Sequence, residues 1–468
     1  MVDIATFFAR HDRIQVYRAG QCDEQGQCVL YWMQRAQRGR DNHALNAAIM
    51  LANELRLPVV VVFIVADYPA ANLRHYQFML EGLALTAQHL QERGTPLVIR
   101  RGEPPHVIVR ITSELHAAAV ICDEGELRTP RQWRQEVAQG LTVPFVCVDA
   151  DVVVPSKYFP KEEWAARTLR PKLQKLLPTY LQPIVDLDPM HPLEQAPCDV
   201  GAVDNPLSYL ESLSIDRSVG PSAAFRGGYD EGQRHLRLFI QDRLAGYGEQ
   251  RNEPALAGTS ELSAYLHFGQ IAAQQVAWTI EQYVPPETGS ARIDVSGGRA
   301  AYLEELIVRR ELAVNFALRN PQYDTLAGCP RWGQETLRKH TSDARPWLYT
   351  REELEQAKTH DALWNACQRE MLRTGRMHGY MRMYWAKKIL EWTATPEEAF
   401  ENAVYLNDKY ELDGRDANGY TGIAWAIGGK HDRPWPPERP VFGLIRYMAL
   451  SGMQRKMDTR VYMHRWNK

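Results

Sequence analysis

Five short apolar runs mark the first 150 residues: CVLYWM (28–33), PVVVVFIVA (58–66), PLVIRR (96–101), AAVICD (118–123) and PFVCVDA (144–150). None shows the polar alternation of a strand with one face in water. Strands that are apolar at nearly every position belong to parallel sheets covered on both faces. Helical stretches such as DNHALNAAIMLANEL lie between them, so this part of the chain reads as a doubly wound, Rossmann-like α/β domain. In that fold a nucleotide phosphate sits on a glycine-rich turn after an early strand. Here the turn is QRAQRGRDNHAL, neither a GxGxxG nor a P-loop, which argues against a nucleotide-dependent ligase or hydrolase built on this sheet.

From 185 to 230 the sequence turns irregular and rich in Pro, Gly, Ser and Asp (LQPIVDLDPMHPLEQAPCDVGAVDNP), as an interdomain linker would. Beyond it the periodicity is helical in GQRHLRLFIQDRLAGYG, AYLEELIVRRELAVNFALR, TREELEQAKTHDALWNACQREML and MHGYMRMYWAKKILEW. The expected architecture is α/β plus all-α: an α/β domain over 1–184, a linker over 185–230 and a helical domain over 231–468.

The formal net charge is −2, so no overall field selects a partner, but the end of the chain is basic. From Lys430 onward nine Lys or Arg face Asp432, Glu438 and Asp458, a balance that suits a polyanion or a solvated helix surface. Seven cysteines without a CxxC pair argue against a disulfide framework, a zinc site or an iron–sulfur cluster. The N-terminal stretch MVDIATFFARHDRIQ carries charges where a signal peptide needs an apolar run, and no segment reaches 18 apolar residues, which leads to the expectation of an intracellular, cytoplasmic protein, nuclear if eukaryotic.

Four segments concentrate polar and charged residues. In the helix expected over 377–392, Arg382, Trp385, Ile389 and Trp392 fall within an arc of roughly 80°. An amphipathic helix burying this stripe needs a carboxylate or an anionic ligand against Arg382. GTSELSAYLHFGQI (258–271) gathers Thr259, Ser260 and Ser263 before an apolar helix, with Tyr247 and Arg251 upstream. Such hydroxyls suit a phosphate, or simply an N-cap. In AYLEELIVRREL, Glu304, Glu305, Arg309 and Arg310 read as surface pairs at i,i+4. LNDKYELDGRDANGYTGIAWAIGGKHDRPW (406–435) reads as a long polar, glycine-rich loop carrying Asn407, Asp413 and Asp416 toward Trp425 and Trp435, and loops of that kind are usually functional.

Taken together, VLYWMQRAQRGRDNHAL, TSELSAYLHFGQI, EELIVRREL, MHGYMRMYWAKKILEW, LNDKYELDGRDANGYTGIAWAIGG and RPVFGLIRYM resemble the DNA photolyase and cryptochrome family. Within it they resemble the class II cyclobutane pyrimidine dimer photolyases, in order over almost the whole chain. The resemblance implies FAD in the helical domain and an antenna module in the α/β domain, with a deazaflavin or a folate as the candidate second chromophore. It implies that Tyr247, Thr259, Ser260 and Ser263 hold the FAD phosphates, with Leu262, Arg309 and Asp416 also on the cofactor. Arg382 and Asp413 would form an ion pair beside the flavin ring, and Asn407 would face its N5. Trp364, Trp385 and Trp392 would pass electrons, with Tyr349 as an outer member. Glu305, Met383, Trp425 and Trp435 would touch the lesion, and Arg439 and Arg446 the DNA phosphates. Gly379 stands where other classes have Asn, which fits class II and removes a flavin contact, while His43 replaces a common tryptophan and Ala264 a usual proline, which bear on the antenna side and one helix start.

The implied reaction is light-dependent: reduced FAD donates an electron to a cyclobutane dimer flipped out of UV-damaged DNA, and the dimer splits. A neutral amide at N5 serves both redox forms, whereas a carboxylate there would repel the reduced anion. Glu305 would offer a hydrogen bond to a dimer carbonyl. No metal, no membrane and no obligate protein partner is expected, and the protein is read as a monomer. The rival within the family is a cryptochrome-type blue-light photoreceptor.

Overall fold

The computed structural model describes residues 2–195, 206–288, 291–292 and 294–467. Cys198 and part of the expected linker lie outside them. All five apolar runs are strands: β2 (Cys28–Met33), β3 (Val59–Val65), β4 (Leu97–Arg101), β5 (Ala117–Asp123) and β6 (Phe145–Val148). They form the parallel part of a six-stranded sheet of order β1-β6-β5-β2-β3-β4. The sequence reading did not include β1 (Ile14–Arg18), which pairs antiparallel with β6. Alternate residues feed two cores. Val29, Tyr31, Val59 and Val61 pack on one face, and Leu30, Trp32, Val60 and Val62 on the other. That two-sided burial is why the runs show no alternation.

The turn after β2 holds an anion, but one the chain supplies itself. The backbone N–H groups of Gln34, Arg35 and Ala36 all donate to Oδ2 of Asp123, at 2.8, 2.8 and 2.9 Å. Tyr31 donates its hydroxyl to Oδ1 at 2.6 Å. Asn42 then caps the helix His43–Leu55 by accepting from Ala44 and Leu45.

The described part of the expected linker is irregular but pinned to the sheet domain. Asn46 and Asn53 donate to the carbonyls of Val185 and Asp188, Tyr209 donates to Ile99, and Leu213 is buried in the core. The helical part shares a core with the α/β part, since Phe78, Val153, Val154 and Phe159 cluster with Phe239, Tyr265 and Leu306. Charges cross the same boundary. Arg35 meets Asp151 at 3.0 Å, Asp416 at 3.2 Å and Glu126 at 3.5 Å, and Arg310 also pairs with Asp151. Glu311 accepts from the backbone of Val153 and Val154.

Three local expectations are corrected. The stretch 350–372 is two helices, Arg351–Glu355 and Ala362–Thr374, because Ala357 takes φ 54° and Asp361 caps the second. The stretch 406–435 is not a long loop. It runs from the end of the helix Pro396–Tyr410 through the helix Ala417–Gly428, which Asp416 caps, so only short turns remain. Glu304–Arg309 is a π-helix, and its wider turn replaces the i,i+4 ladder. Glu304 pairs with Arg170 and Arg309, Glu305 with Arg251, and Arg310 with Asp151.

Candidate active site

The helices Gly379–Trp392, Pro396–Tyr410 and Ala417–Gly428, with the segment 259–263 and the π-turn, enclose a cavity of about 410 Å³. Of the residues singled out from sequence, Thr259, Ser260, Leu262, Ser263, Glu305, Arg382, Met383, Trp385, Asn407 and Asp413 line it.

Arg382 has the acidic partner its position demands, and more. Its Nη2 reaches Asp413 at 2.8 Å and Glu411 at 2.9 Å, and its Nε donates to the carbonyl of Met377 at 3.1 Å. Burial alone would weaken the guanidinium as a base, yet the two carboxylates hold its pKa above the usual range. Glu411 was missed from sequence, where it is one of several acids in YELDGRD. Burial pushes its carboxyl up to about 8 against the pull of Arg382.

Asn407 sits in the last turn of its helix, buried, with its Nδ2 donating to Asp408 at 2.9 Å. A Cβ on Gly419 would come within 2.9 Å of that Nδ2, so the glycine is what lets the next helix close over the amide. Gly379 and Gly422 do the opposite. They line the cavity, and a Cβ on either would meet no atom within 4 Å.

At the other end of the cavity Arg376 joins the hydroxyl segment to the helical core, donating to Thr259 Oγ1 at 2.5 Å and meeting Glu261 at 3.3 Å. Arg243 and His235 also face Glu261, and against the effect of burial these three basic groups hold its carboxyl down to about 2.

Three expected cofactor residues stand off the cavity. Tyr247 packs on Phe239 and Tyr302, because its short helix turns the ring into the core. Arg309 is half-exposed on Glu304, where the π-turn directs it. Asp416 meets Arg35 and His267, each at 3.2 Å, at the boundary with the α/β domain. Burial opposes its charge, but His267 and Arg35 hold its pKa well below the usual range.

From the cavity wall an aromatic file runs to the surface. Trp385 stacks on Trp364 with centroids 6.3 Å apart and planes 7° from parallel. Trp364 meets Trp392 at 5.7 Å, and Trp392 meets Tyr349 at 5.5 Å. Trp385 Nε1 donates to Gln368 and Trp364 Nε1 to the carbonyl of Trp385, so both indoles are fixed in orientation. The file ends at Trp347, 50% exposed, stacked on His360 at 4.5 Å.

Trp425 and Trp435 form a second aromatic group with Arg446, whose guanidinium lies 5.9 Å and 4.7 Å from their ring centroids. Arg433 covers Trp435 at 4.8 Å, and Arg439 lies over Tyr447. Sequence reading gave no sign of Lys387. It is fully buried beneath Trp425 at 4.7 Å, donates to the carbonyl of Ala426, and is pushed down to about 7 by burial. Glu305 does not stand free as the expected donor to a ligand, because Arg251 already donates to it.

A family model described as DNA photolyase matches residues 29–194. The deoxyribodipyrimidine photo-lyase of Methanothermobacter thermautotrophicus is 40% identical over 465 residues, 97% of this chain and 98% of that protein. The deoxyribodipyrimidine photo-lyase of Arabidopsis thaliana is 40% identical over 480 residues, 98% of this chain and 93% of that protein. Among solved structures, a photolyase of Sulfolobus tokodaii with two FAD molecules superposes with TM-score 0.71 at 17% identity, covering 94% of this chain and 90% of that one. A cryptochrome of Synechocystis superposes with TM-score 0.72 at 17% identity, covering 94% and 88%. These two neighbours share the fold. The curated relatives extend the likeness to sequence over nearly full length, and on that ground the chain belongs to the DNA photolyase family, a family of lyases.

Proposed function

We propose that this protein is a class II photolyase that uses FAD and blue light to split cyclobutane pyrimidine dimers in DNA. The observation that carries the reading is the cavity walled by Asn407, the Arg382–Asp413 pair and Trp385, the last being the inner end of an aromatic file that reaches the surface.

The residues present fit a flavin dinucleotide. Gly379 and Gly422 leave flat space for a ring system, and Thr259, Ser260 and Ser263, with Arg376 behind them, supply hydroxyls and a positive charge for a pyrophosphate. When bound, FAD supplies the light absorption and the electron. The chain's part is to orient and tune. Asn407 presents a neutral amide that can donate or accept at N5. Arg382 is kept charged by two acids, offsetting negative charge on a reduced ring. Trp385, Trp364 and Trp392, with Tyr349 outermost, carry electrons inward.

On the lesion side, Met383 and Glu305 line the cavity, and Trp425 and Trp435 offer faces on which flipped bases stack, worth roughly 1–3 kcal/mol per base. Arg446 and Arg439 hold the flanking phosphates. A second cavity, of about 160 Å³, lies between β2, β3 and the helical part, lined by Trp32, Phe63, Tyr68 and Trp133 among others. It suits a deazaflavin or folate antenna. The enzyme acts as a monomer, in the cytoplasm or, in a eukaryote, the nucleus. Among the described residues no helix is long and apolar enough to cross a membrane.

The test is repair itself. Reduced protein under blue light restores dimer-containing DNA to intact pyrimidines, and equal repair in the dark, or a purified protein that binds no flavin, overturns the reading. A photoreceptor would bind flavin and respond to light without repairing DNA.

A further inference from the structure

At the outer end of the aromatic file, Tyr349 and His360 are bonded to each other twice. The backbone N–H of His360 donates to the Tyr349 hydroxyl oxygen at 2.9 Å, and the same oxygen lies 2.6 Å from Nδ1 of the His360 ring. In the tautomer with the imidazole proton on Nε2, the phenolic O–H donates to Nδ1. The two rings lie 18° from parallel, His360 meets Trp392 at 5.2 Å, and Trp347 covers the imidazole at 4.5 Å. His360 is exposed and Tyr349 half-buried. A phenol is hard to oxidise unless its proton leaves with the electron, because the cation left behind is a strong acid. Here an acceptor stands in place before the electron moves.

We propose that Tyr349 and His360 act as a proton-coupled pair, in which Tyr349 gives its electron to oxidised Trp392 and its proton to Nδ1 of His360. The step rests on the electron-carrying role of the tryptophans given above. Its balance is closed. The indole radical cation at Trp392 gains one electron and becomes neutral, Tyr349 becomes a neutral phenoxyl radical, and His360 becomes an imidazolium, so the single positive charge moves from the buried file to the surface. A thiolate in solution later returns one electron and becomes a thiyl radical: the phenoxyl becomes a phenolate, which takes the proton back from His360. Moving the charge outward, where water solvates it, disfavours its return inward. His360 is thus a positioning residue and a proton acceptor, with no contact to flavin or DNA required.

The experiment is flash photolysis of the FAD-loaded protein with the flavin oxidised, following indole and phenoxyl radical absorption separately, in wild type, Tyr349→Phe, His360→Phe and His360→Gln. Wild type should pass from indole to phenoxyl radical with a solvent deuterium isotope effect. Tyr349→Phe should stop at the indole. His360→Phe keeps a flat ring, and His360→Gln keeps a hydrogen-bond acceptor that cannot hold a proton. Both should still oxidise the indoles while phenoxyl formation slows by about tenfold or more, because the proton must then leave to water. Phenoxyl formation at the wild-type rate in both His360 variants would overturn the pairing. Absence of any indole radical in wild type would instead overturn the electron-carrying role of the tryptophans on which it rests.

Discussion

Trp364 and Trp385 stack with centroids 6.3 Å apart and planes 7° from parallel, although they lie on different helices and only Trp385 lines the cavity. Hydrogen bonds from both Nε1 atoms fix the two buried indoles in orientation. Replacing either with Phe keeps most of the apolar volume and costs about 1–2 kcal/mol in stability. It also removes the more easily oxidised ring. Trp364→Phe should therefore retain flavin and lose photoreduction by an external reductant, read as the rate at which oxidised-flavin absorption bleaches under light. Bleaching at the wild-type rate would return both residues to simple packing.

Arg382 has two acids, and that alters what each removal does. Asp413→Ala leaves Glu411 in contact, so the guanidinium is not orphaned, and the expected loss is chiefly flavin occupancy of the purified protein. Asp416→Ala acts elsewhere, on Arg35 and His267 at the domain boundary. It should lower stability by about 1 kcal/mol, the scale of a lost helix cap, because Arg35 keeps Asp151 and Glu126, with a smaller effect on flavin once folded. Denaturant melts beside flavin-to-protein ratios separate the two. A common profile in both variants would show that the assignment of the acids is wrong.

Gly419→Ala tests the seat of Asn407. The new methyl would fall 2.9 Å from Nδ2, and the amide is what must move. We expect the protein to fold and bind flavin with its reduction potential shifted, measured by redox titration. Gly422→Ala, whose methyl enters open space in the cavity, should weaken flavin binding instead.

Two buried groups give opposite pH dependences. Burial raises Glu311 from an ordinary 4.5 to about 8, so its contribution to stability is fully present below 4.5 and is lost as pH rises to about 8. Burial lowers Lys387 from 10.5 to about 7, so its contribution is full above 10.5 and is lost as pH falls to about 7. Relative to wild type, Glu311→Gln should therefore gain stability as pH rises from 5 to 8, and Lys387→Met should gain as it falls from 10 to 7. The slope is about 1.4 kcal/mol per pH unit inside each window, checked by urea melts. Flat differences across pH would refute both.

Arg446, lying against both Trp425 and Trp435, links charge to stacking. Arg446→Ala should weaken binding to dimer-containing and intact DNA alike and reduce the salt slope of log affinity by about 0.9, the value of one phosphate contact. Titrations at several salt concentrations give the slope directly.

The sequence made the sheet legible because residues buried on both faces leave unbroken apolar runs. It hid β1 because IQVYR is an edge strand with exposed positions, and its hydrophobicity does not separate it from a loop. The Arg382–Asp413 contact followed from the family motif, whereas Glu411 was one acid among several until the turn at 411–416 brought it in. Trp385 and Trp392 could be placed by helical spacing, but Trp364 lies on another helix and Tyr349 in the irregular segment before the helix Arg351–Glu355, so nothing local joins them. The π-turn at 304–309 left no mark either, since its composition suits an ordinary helix. Asn407 looked like a loop residue because a glycine-rich stretch follows it from Gly414 on, and two of those glycines, Gly414 and Gly419, turn out to be where the chain closes on Asn407 itself.

The Asp123 carboxylate in the turn after β2 has a consequence for how this sheet can be used. Three backbone donors that would otherwise greet a phosphate from solution are permanently engaged by a side chain the chain carries with it. A tethered occupant never dissociates and needs no concentration to bind. The inherited mouth of the fold is thereby stopped from inside, and its rim is free to serve as a wall against the neighbouring helices. The cavity beside that turn is bounded by side chains of both parts, Trp32 and Phe63 from the strands and His267 and Phe268 from the helical part.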